Sequence, residues 1–135
     1  MSHVFSRALE QIPEYIDVAE CCITGTVTSI DHNEVAGTGR PVVSFSIRTD
    51  NPVQIRQQDG TYIDQVVKNY HNCVLFNEAA KHWLSQLWIG DRVRFSGQML
   101  VKRYPMRDYP TIMQTKVEHQ SVNPTDLVVV TIGPR

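Results

Sequence analysis

The nine residues NYHNCVLFN, Asn69 to Asn77, bring aromatic, imidazole and thiol side chains together in one short segment. If the segment is a β-strand, alternate side chains point to opposite faces. The less apolar face then carries Tyr70, Asn72, Val74 and Phe76, and the other carries His71, Cys73 and Leu75. A half-buried strand normally presents polar groups to water. Two rings on that face are therefore either ordinary wall residues of a sheet or contacts for a partner.

His71 and Cys73 form an H-x-C pair that could serve as a thiol nucleophile or as metal ligands. Alternation points both side chains inward, away from a substrate. Structural zinc takes four ligands in separated pairs, and the adjacent Cys21 and Cys22 at the start of a strand do not supply the second pair. We therefore expect no metal, and cysteines that pack as small hydrophobic side chains.

The sequence lacks the short motifs of common enzymes: there is no nucleophile elbow, phosphate-binding loop or zinc-protease helix. We expect a protein that is not an enzyme, with no cofactor and no small-molecule substrate. No apolar run approaches the roughly 20 residues that span a bilayer, so no membrane partner is expected. The N-terminus lacks the apolar core of a signal peptide, and an odd number of cysteines, 3, favours a reducing intracellular setting.

The charge of the chain is unevenly distributed, although the formal net charge is only −1. The segment from Asp91 to Lys116 holds six basic and two acidic side chains, a local net charge of +4. A polyanion responds to this local field because salt screens charges beyond about 10 Å at 0.1 M. A solvated basic hairpin would show the same composition.

The 135 residues suit a single domain. We divide them into an N-terminal extension (residues 1–18), a β-rich domain (19–121) and a C-terminal segment (122–135), in which LVVVTI is either a further strand or an interface segment. Strands are predicted in CCITGTVTSI, with a bulge or bend near Gly25, and in VVSFSIRT, which alternates strictly. Residues 50–63 read as a long polar excursion or hairpin tip, and a third strand follows over about 64–77.

One helix is predicted over NEAAKHWLSQLWIG, capped by Asn77, with Glu78 in its first turn and Gly90 as its stop. Both Trp83 and Trp88 are expected to pack this helix. Two alternating strands, DRVRFSGQMLVKRY and TIMQTKVEHQ, complete the pattern. The order β-β-β-α-β-β predicts an all-β fold, a five-stranded Greek-key OB-fold barrel with one helix between strands 3 and 4.

The run NYHNCVLFNEAAKHWLSQLWIGDRVRFSGQMLVKRY resembles the OB-fold single-stranded DNA-binding proteins of bacteria and mitochondria. In that family an aromatic-His-x-x-Val-x-Phe strand precedes a helix that ends in Gly. A V-x-x-x-G-x-L strand and a basic hairpin with an aromatic follow. The matching positions are Tyr70, His71, Val74, Phe76, Gly90, Val93, Gly97 and Tyr104. ITGTVTSI and GRPVVSFSIRT are similar to the first two strands of the family, and the likeness covers about residues 21–120.

The resemblance implies sequence-tolerant binding of single-stranded DNA in replication, recombination or repair. Tyr70, Phe76 and Tyr104 are its implied base-stacking residues, because an aromatic ring can stack on any base. Phosphates would be contacted by Arg48, Arg56, Lys68, Arg92, Arg94, Lys102, Arg103 and Arg107. The resemblance also implies a homo-oligomer, a tetramer or a dimer, with His71 as a core or subunit-contact residue.

The chain also departs from the family pattern. Tyrosines stand at 70 and 104 where the family often has tryptophan, and Tyr62 is only a loose substitute for a tryptophan in the preceding loop. The acidic tip that recruits partner proteins in bacterial members is lacking at VVVTIGPR. A divergent member, cytoplasmic and nucleoid-associated or encoded by a phage or mobile element, is in keeping with these departures. An OB-fold protein-interaction or replication-restart module and an RNA-binding OB-fold protein are the alternatives.

Overall fold

The computed structural model describes residues 19–135, so the N-terminal extension (1–18) lies outside the described residues. The strands are β1 (Glu20–Glu34), β2 (Pro41–Arg56), β3 (Tyr62–Phe76), β4 (Arg92–Pro105), β5 (Met113–Ser121) and β6 (Leu127–Thr131). One α-helix, α1 (Asn77–Trp83), lies between β3 and β4, and a 3₁₀ turn (Pro124–Asp126) precedes β6. No helix within residues 19–135 is both long enough and apolar enough to cross a bilayer.

The five strands β1-β2-β3-β5-β4 close into a ring, since β1 pairs with β4 as well as with β2. All ring pairings are antiparallel except the parallel pair β3–β5. β6 adds to the sheet beside β4. This is the predicted five-stranded Greek-key barrel with one helix between its third and fourth strands.

β1 belongs to both halves of the barrel, and Gly25 lies where it changes partner. Residues 20–26 pair with β4 and residues 26–34 with β2, with a register shift between Val27 and Ser29. A Cβ on Gly25 would lie 2.3 Å from the carbonyl oxygen of Arg48. Only glycine permits this close approach of β1 to β2, so the predicted bend is present.

The inside of the barrel is filled by the apolar residues that alternate along β1 to β4, together with residues of α1 and Leu127 of β6. Val43 and Ile47 of β2 are fully buried, as is Leu75 of β3. The rings of Phe45 and Phe95 meet edge to face, with centroids 5.4 Å apart. Because this core uses one face of β1 to β4, the alternate residues of these strands are left on the outside of the barrel.

The second and third strands form a longer hairpin than predicted. Their register runs without a break from Val42 opposite Phe76 to Arg56 opposite Tyr62. Residues 50–63, expected as a polar excursion or a hairpin tip, form the end of this hairpin: most of them are strand, and a tight turn at Gln57–Thr61 joins the two strands. The Asp59 carboxylate accepts a hydrogen bond from the Thr61 backbone N–H at 3.0 Å, which fixes this turn.

The helix is present but shorter than predicted, and two of its details were wrong. It ends at Trp83, and turns carry the chain on to Gly90. Asn77 does not cap it, because Asn77 adopts a left-handed φ of 53° and the N-cap position is the extended Phe76. Trp83 packs inside as expected and donates its indole N–H to the Pro124 carbonyl at 2.9 Å. Trp88 does not pack the helix, since it is 51% exposed.

The C-terminal segment folds back onto the loop before β4. In β6, Leu127 is buried in the core. The fully buried carboxylate of Asp91 accepts hydrogen bonds from the Gly133 backbone N–H at 2.9 Å and from the Arg135 guanidinium at 2.7 Å. The same guanidinium lies 4.7 Å from the ring centroid of Trp88. These contacts account for the position of Trp88, whose ring covers the arginine side chain.

Candidate nucleic-acid interface

Tyr70 and Phe76 occupy the outer face of β3. Their neighbours Cys73 and Leu75 on the opposite face are buried in the barrel core. Tyr70 is 62% exposed, whereas Phe76 is half-buried. The structure therefore places both predicted stacking rings outside the core, and the ring of Tyr70 is open to a ligand.

A row of outward side chains crosses four strands at Tyr70. In the register, Tyr70 lies opposite Arg48, Arg48 opposite Thr26, and Thr26 opposite Arg92. Residues opposite each other in antiparallel strands share a face, with Cα atoms about 5 Å apart. The row thus brings two arginines from distant parts of the sequence onto the face that carries the ring. The Nε of Arg48 lies 3.1 Å from the Asp50 carboxylate.

Arg94 belongs to the next row along the same face. It lies opposite Thr24 of β1 and donates its Nε–H to the Thr24 hydroxyl, at 3.4 Å. Its charge therefore lies beside that of Arg92 on the outside of the barrel.

The β2–β3 hairpin continues this face beyond the barrel. Lys68 lies opposite Asp50, and Arg56 opposite Tyr62, all on the side that carries Tyr70. Tyr62 is as exposed as Tyr70 but was not among the predicted stacking residues. The prediction missed it because the third strand was started too late. The even spacing of 62 and 70 along one strand was the available signal.

The β4–β5 hairpin brings Tyr104 to the same face. β5 pairs in parallel with β3, Asn72 beside Glu118, and antiparallel with β4, Lys116 opposite Lys102 and Gln114 opposite Tyr104. Arg103, one residue before Tyr104, projects from the opposite face of the hairpin, and Arg107 lies in the turn after β4. Every predicted cation except these two therefore lies on the face that carries the three rings, with Arg56 at the far end of the β2–β3 hairpin.

Glu118 is a buried carboxylate within this basic face, and no motif in the sequence marks it. Its Oε1 accepts hydrogen bonds from the Gln120 amide at 2.7 Å and from the Lys102 ammonium at 3.3 Å. Its Oε2 lies 3.7 Å from the Lys116 ammonium. Burial raises the pKa of Glu118, but these hydrogen bonds and both lysines outweigh that effect and leave the pKa below its ordinary value. Glu118 is therefore ionised at neutral pH.

His71 lies on the opposite, inward face of β3 and is half-buried. Its Nε2 is 3.0 Å from the Thr49 hydroxyl, and its ring centroid is 6.1 Å from that of His119. His119 is buried, and its Nδ1 has no hydrogen-bond partner among the described residues. Burial, and then the neighbouring His71, lower the pKa of His119. His119 is therefore neutral at pH 7.

The cysteines do not form a reactive centre within residues 19–135. Cys73 is buried, and burial strongly raises the pKa of its thiol. Its Sγ lies 3.6 Å from the His71 carbonyl oxygen, which accepts the S–H. Within the described residues there is no group of three or more histidine, cysteine or acidic side chains that could hold a metal ion. The thiol of Cys73 consequently stays protonated inside the core.

Comparison with solved structures supports the fold. The chain superposes on a Plasmodium falciparum SSB solved with ssDNA at a TM-score of 0.68 and 17% identity, covering 87% of this chain and 99% of that one. A small single-stranded DNA-binding protein from Streptomyces coelicolor superposes at a TM-score of 0.61 and 16% identity, covering 84% of this chain and 95% of that one. A mitochondrial single-stranded DNA-binding protein from S. cerevisiae superposes at a TM-score of 0.59 and 18% identity, covering 87% of this chain and 100% of that one.

A comparison with curated protein sequences finds no match. The family model of the single-strand binding protein family, by contrast, matches residues 18–125, which is most of the chain. That range includes all of β1 to β5 and the whole outer face described above. The chain belongs to the single-strand binding protein family.

Proposed function

We propose that this protein binds single-stranded DNA along the outer face of its barrel, with Tyr70, Phe76 and Tyr104 as the stacking rings. Family membership makes it a single-stranded DNA-binding protein of replication, recombination or repair. The Plasmodium falciparum neighbour was solved with ssDNA. The proposal adds the residues that make the contact and the way in which each contributes.

The row Arg92, Thr26, Arg48 and Tyr70 is the observation that supports the proposal best. An exposed ring offers a flat surface on which any base can stack. The two guanidinium groups in the row offer the positive charge that a phosphate backbone requires. Both parts lie on one face because the register of four strands puts them there, and this explains why a ring as large as that of Tyr70 is left in water.

The cations differ in how available they are to phosphates. In the described part of the chain Arg56, Lys68 and Arg92 form no ion pair, so we propose them as the main phosphate contacts. Arg48 is held by Asp50, and Lys102 and Lys116 by Glu118, so these three must share their charge with a carboxylate. Arg94 and, from the turn after β4, Arg107 complete the proposed set, whereas Arg103 projects from the other face.

A homo-oligomer, either a dimer or a tetramer, is also part of the proposal. The inward face of the β4–β5 hairpin extends past the core and exposes Met99, Val101 and Val117. This apolar strip adjoins His119 and His71, which is where the family resemblance puts a subunit contact. Light scattering of the purified protein measures the mass directly. A monomer at all concentrations would contradict this part of the proposal.

The test of the function is fluorescence anisotropy of a labelled oligo(dT) titrated with the full-length protein at low salt. We expect saturable binding that weakens with salt, with a log–log slope of about −0.7 for each neutralised phosphate. Matched oligo(U) and duplex DNA serve as controls. No binding to oligo(dT) by a folded protein would favour a protein-interaction module, and tighter binding of oligo(U) would favour an RNA-binding protein.

The proposed role is binding and not catalysis. Stacking and phosphate contacts hold the strand without making or breaking a bond, and none of the side chains on the outer face is asked to transfer a proton. Such a protein would act at the nucleoid of its cell, or on the DNA of a phage or mobile element that encodes it.

A further inference from the structure

We propose that the polar groove beside Tyr70 reads the edge of one base and selects bases that carry an amino group, with Glu118 as the selecting residue. The proposal rests on the proposed function and deepens it, because stacking remains tolerant of sequence while one position on the strand acquires a preference. The amino-bearing base that tests it most cleanly is cytosine, compared with thymine.

The groove lies on the outer face, between the row of Tyr70 and the row of Phe76. It has a volume of about 280 Å³. In the register, Ser29 lies opposite Ser46, Ser46 opposite Asn72, and Asn72 beside Glu118. The lining is mostly polar and includes Ser29, Asp31, Ser46, Asn72, Lys116 and Glu118. A base stacked on Tyr70 therefore has hydrogen-bonding groups beside its edge, two residue pairs away along the strand.

Glu118 has acceptor capacity left for a ligand in this groove. A carboxylate oxygen can accept two hydrogen bonds, and the bonds from Gln120 and Lys102 both go to Oε1. The Lys116 ammonium is 3.7 Å from Oε2, longer than a hydrogen bond. Glu118 is only 7% exposed, so a hydrogen bond to it would form away from bulk water, where it is stronger.

The chemistry of the two pyrimidines differs at the position that meets a carboxylate. Cytosine presents its N4 amino group as a donor, and an acidic side chain is the standard acceptor for it. Its neighbouring N3 is an acceptor that the Lys116 ammonium or the Asn72 amide can satisfy. Thymine presents the O4 oxygen at the position of the amino group, and an N3–H donor where cytosine has its N3 acceptor, which the Lys116 ammonium cannot satisfy. An ionised carboxylate has no proton to give to that oxygen, so the two acceptors repel each other.

Without a hydrogen-bond donor from the ligand, the negative charge of Glu118 opposes the proposed function. Glu118 attracts two lysines of the face and repels phosphates, which lowers the affinity for any polyanion. A ligand that donates a hydrogen bond to the carboxylate offsets this repulsion, and a ligand that cannot do so does not. The charge of Glu118 therefore weakens the binding of thymine more than the binding of cytosine.

The experiment compares oligo(dC) with oligo(dT) of equal length, by anisotropy, with the full-length protein at mildly alkaline pH where cytosine is neutral. The parent protein is expected to bind oligo(dC) about fivefold more tightly or better, the low end for one specific base contact. Glu118→Gln keeps the shape of the side chain but adds a donor and removes the charge. It is expected to abolish the preference, chiefly by improving the binding of oligo(dT). Glu78→Gln removes the same charge from the exposed face of α1 and is expected to leave the preference intact.

The outcomes separate this proposal from the proposed function. Equal affinity of the parent protein for the two oligomers overturns the base selection and leaves single-strand binding standing. A preference that survives in Glu118→Gln overturns the role of Glu118. Failure to bind either oligomer overturns both proposals. The comparison of oligo(dC) with oligo(dT) uses the parent protein alone and does not depend on the folding of a variant. Thermal unfolding of Glu118→Gln shows whether the same comparison in that variant is made on an intact barrel.

Discussion

The aromatic side chains of the outer face have different surroundings, and this decides what each can contribute. Tyr70 has Arg48 opposite it and is largely exposed, so a base can cover its ring without moving the protein. Phe76 is half-buried beside Val42, which leaves it less surface to offer. We therefore expect Tyr70 to contribute more to binding than Phe76.

Replacing Tyr70 separates stacking from folding. Tyr70→Ala is expected to weaken binding of oligo(dT) by about 1–3 kcal/mol, the usual contribution of one stacked base. Tyr70→Phe keeps the ring and is expected to bind like the parent protein. Anisotropy titrations at one salt concentration measure both, and equal binding by Tyr70→Ala would place the stacking site elsewhere.

His119 is expected to make stability fall in mild acid. Its pKa is lowered in the folded protein from the ordinary value of 6.5, so below that value the unfolded chain takes up a proton that the folded chain does not. The free energy of unfolding should therefore decrease as the pH falls from about 7.5 to about 5.5. Urea unfolding at both pH values measures the loss.

The matched variant for this prediction is His119→Gln. It cannot take up the proton and is expected to lose less stability over the same interval. A loss as large as that of the parent protein would mean that another histidine, of the 5 in the chain, is responsible.

Among the elements, β1 has the most demanding geometry, because it must pair with β4 at one end and with β2 at the other. Gly25 lies at the change of partner and against the backbone of Arg48. The position of Arg48 in the proposed interface thus depends on the lack of a side chain at Gly25 in the neighbouring strand β1. Folding and binding are linked at this point.

Gly25→Ala is expected to destabilise the barrel by more than about 2 kcal/mol, since the new methyl group would meet the Arg48 carbonyl and the Ile47 side chain. Gly60→Ala provides the comparison. Gly60 has a φ of 87°, but a methyl group added there would meet nothing within 4 Å, so only the left-handed strain of about 1 kcal/mol applies. Chemical unfolding measures both, and a Gly25→Ala variant as stable as the parent would show that β1 can move away from β2.

Local patterns predicted those parts of the fold that local spacing controls. The alternation of Val43, Phe45 and Ile47 marked a strand with one buried face, and Tyr70 and Phe76 were correctly put on one face of theirs. The length of the β2–β3 hairpin was missed, because its polar sequence is stabilised by cross-strand pairing and not by burial. Trp88 was misplaced because its partner, Arg135, is distant in sequence.

The proposed interface, like the fold, could be predicted only in part. The rings and cations could be named from the resemblance, but their grouping could not, since it depends on the register of strands that are far apart in the chain. Glu118 illustrates the limit. Its partner Lys102 is separated from it by a whole hairpin, and a single acidic residue at the end of a basic stretch carries no signal of its own.

At the scale of the whole molecule, the return of the C-terminal segment ties the end of the chain to the centre of the fold. Asp91 receives Gly133 and Arg135, and its own backbone carbonyl accepts a hydrogen bond from Val27 of β1 at 2.9 Å. One buried residue therefore connects the last described residues, through its carboxylate, and the first strand, through its backbone carbonyl, to the loop before β4.

Asp91→Asn is expected to lower the free energy of unfolding by about 1–2 kcal/mol, because it weakens charge-assisted hydrogen bonds to a buried acceptor while Arg135 stays partly solvated. Asp64→Asn, at an exposed position of β3, is expected to change stability by less than about 0.5 kcal/mol. Thermal or urea unfolding tests both. Equal stability of the two variants would show that the C-terminal contacts do not support the barrel.

The β2–β3 hairpin has a consequence for the length of strand that one subunit can cover. Beyond Arg48 and Tyr70, eight residue pairs project from the barrel, about 27 Å at the usual rise per residue. Removing one pair would turn Arg56 and Tyr62 to the wrong side, whereas removing two pairs would restore their side and shorten the arm by about 7 Å. The number of nucleotides occluded per subunit should therefore be adjustable by shortening the hairpin in steps of two residue pairs. A hairpin shortened by one pair should bind worse than the full-length hairpin and worse than one shortened by two pairs.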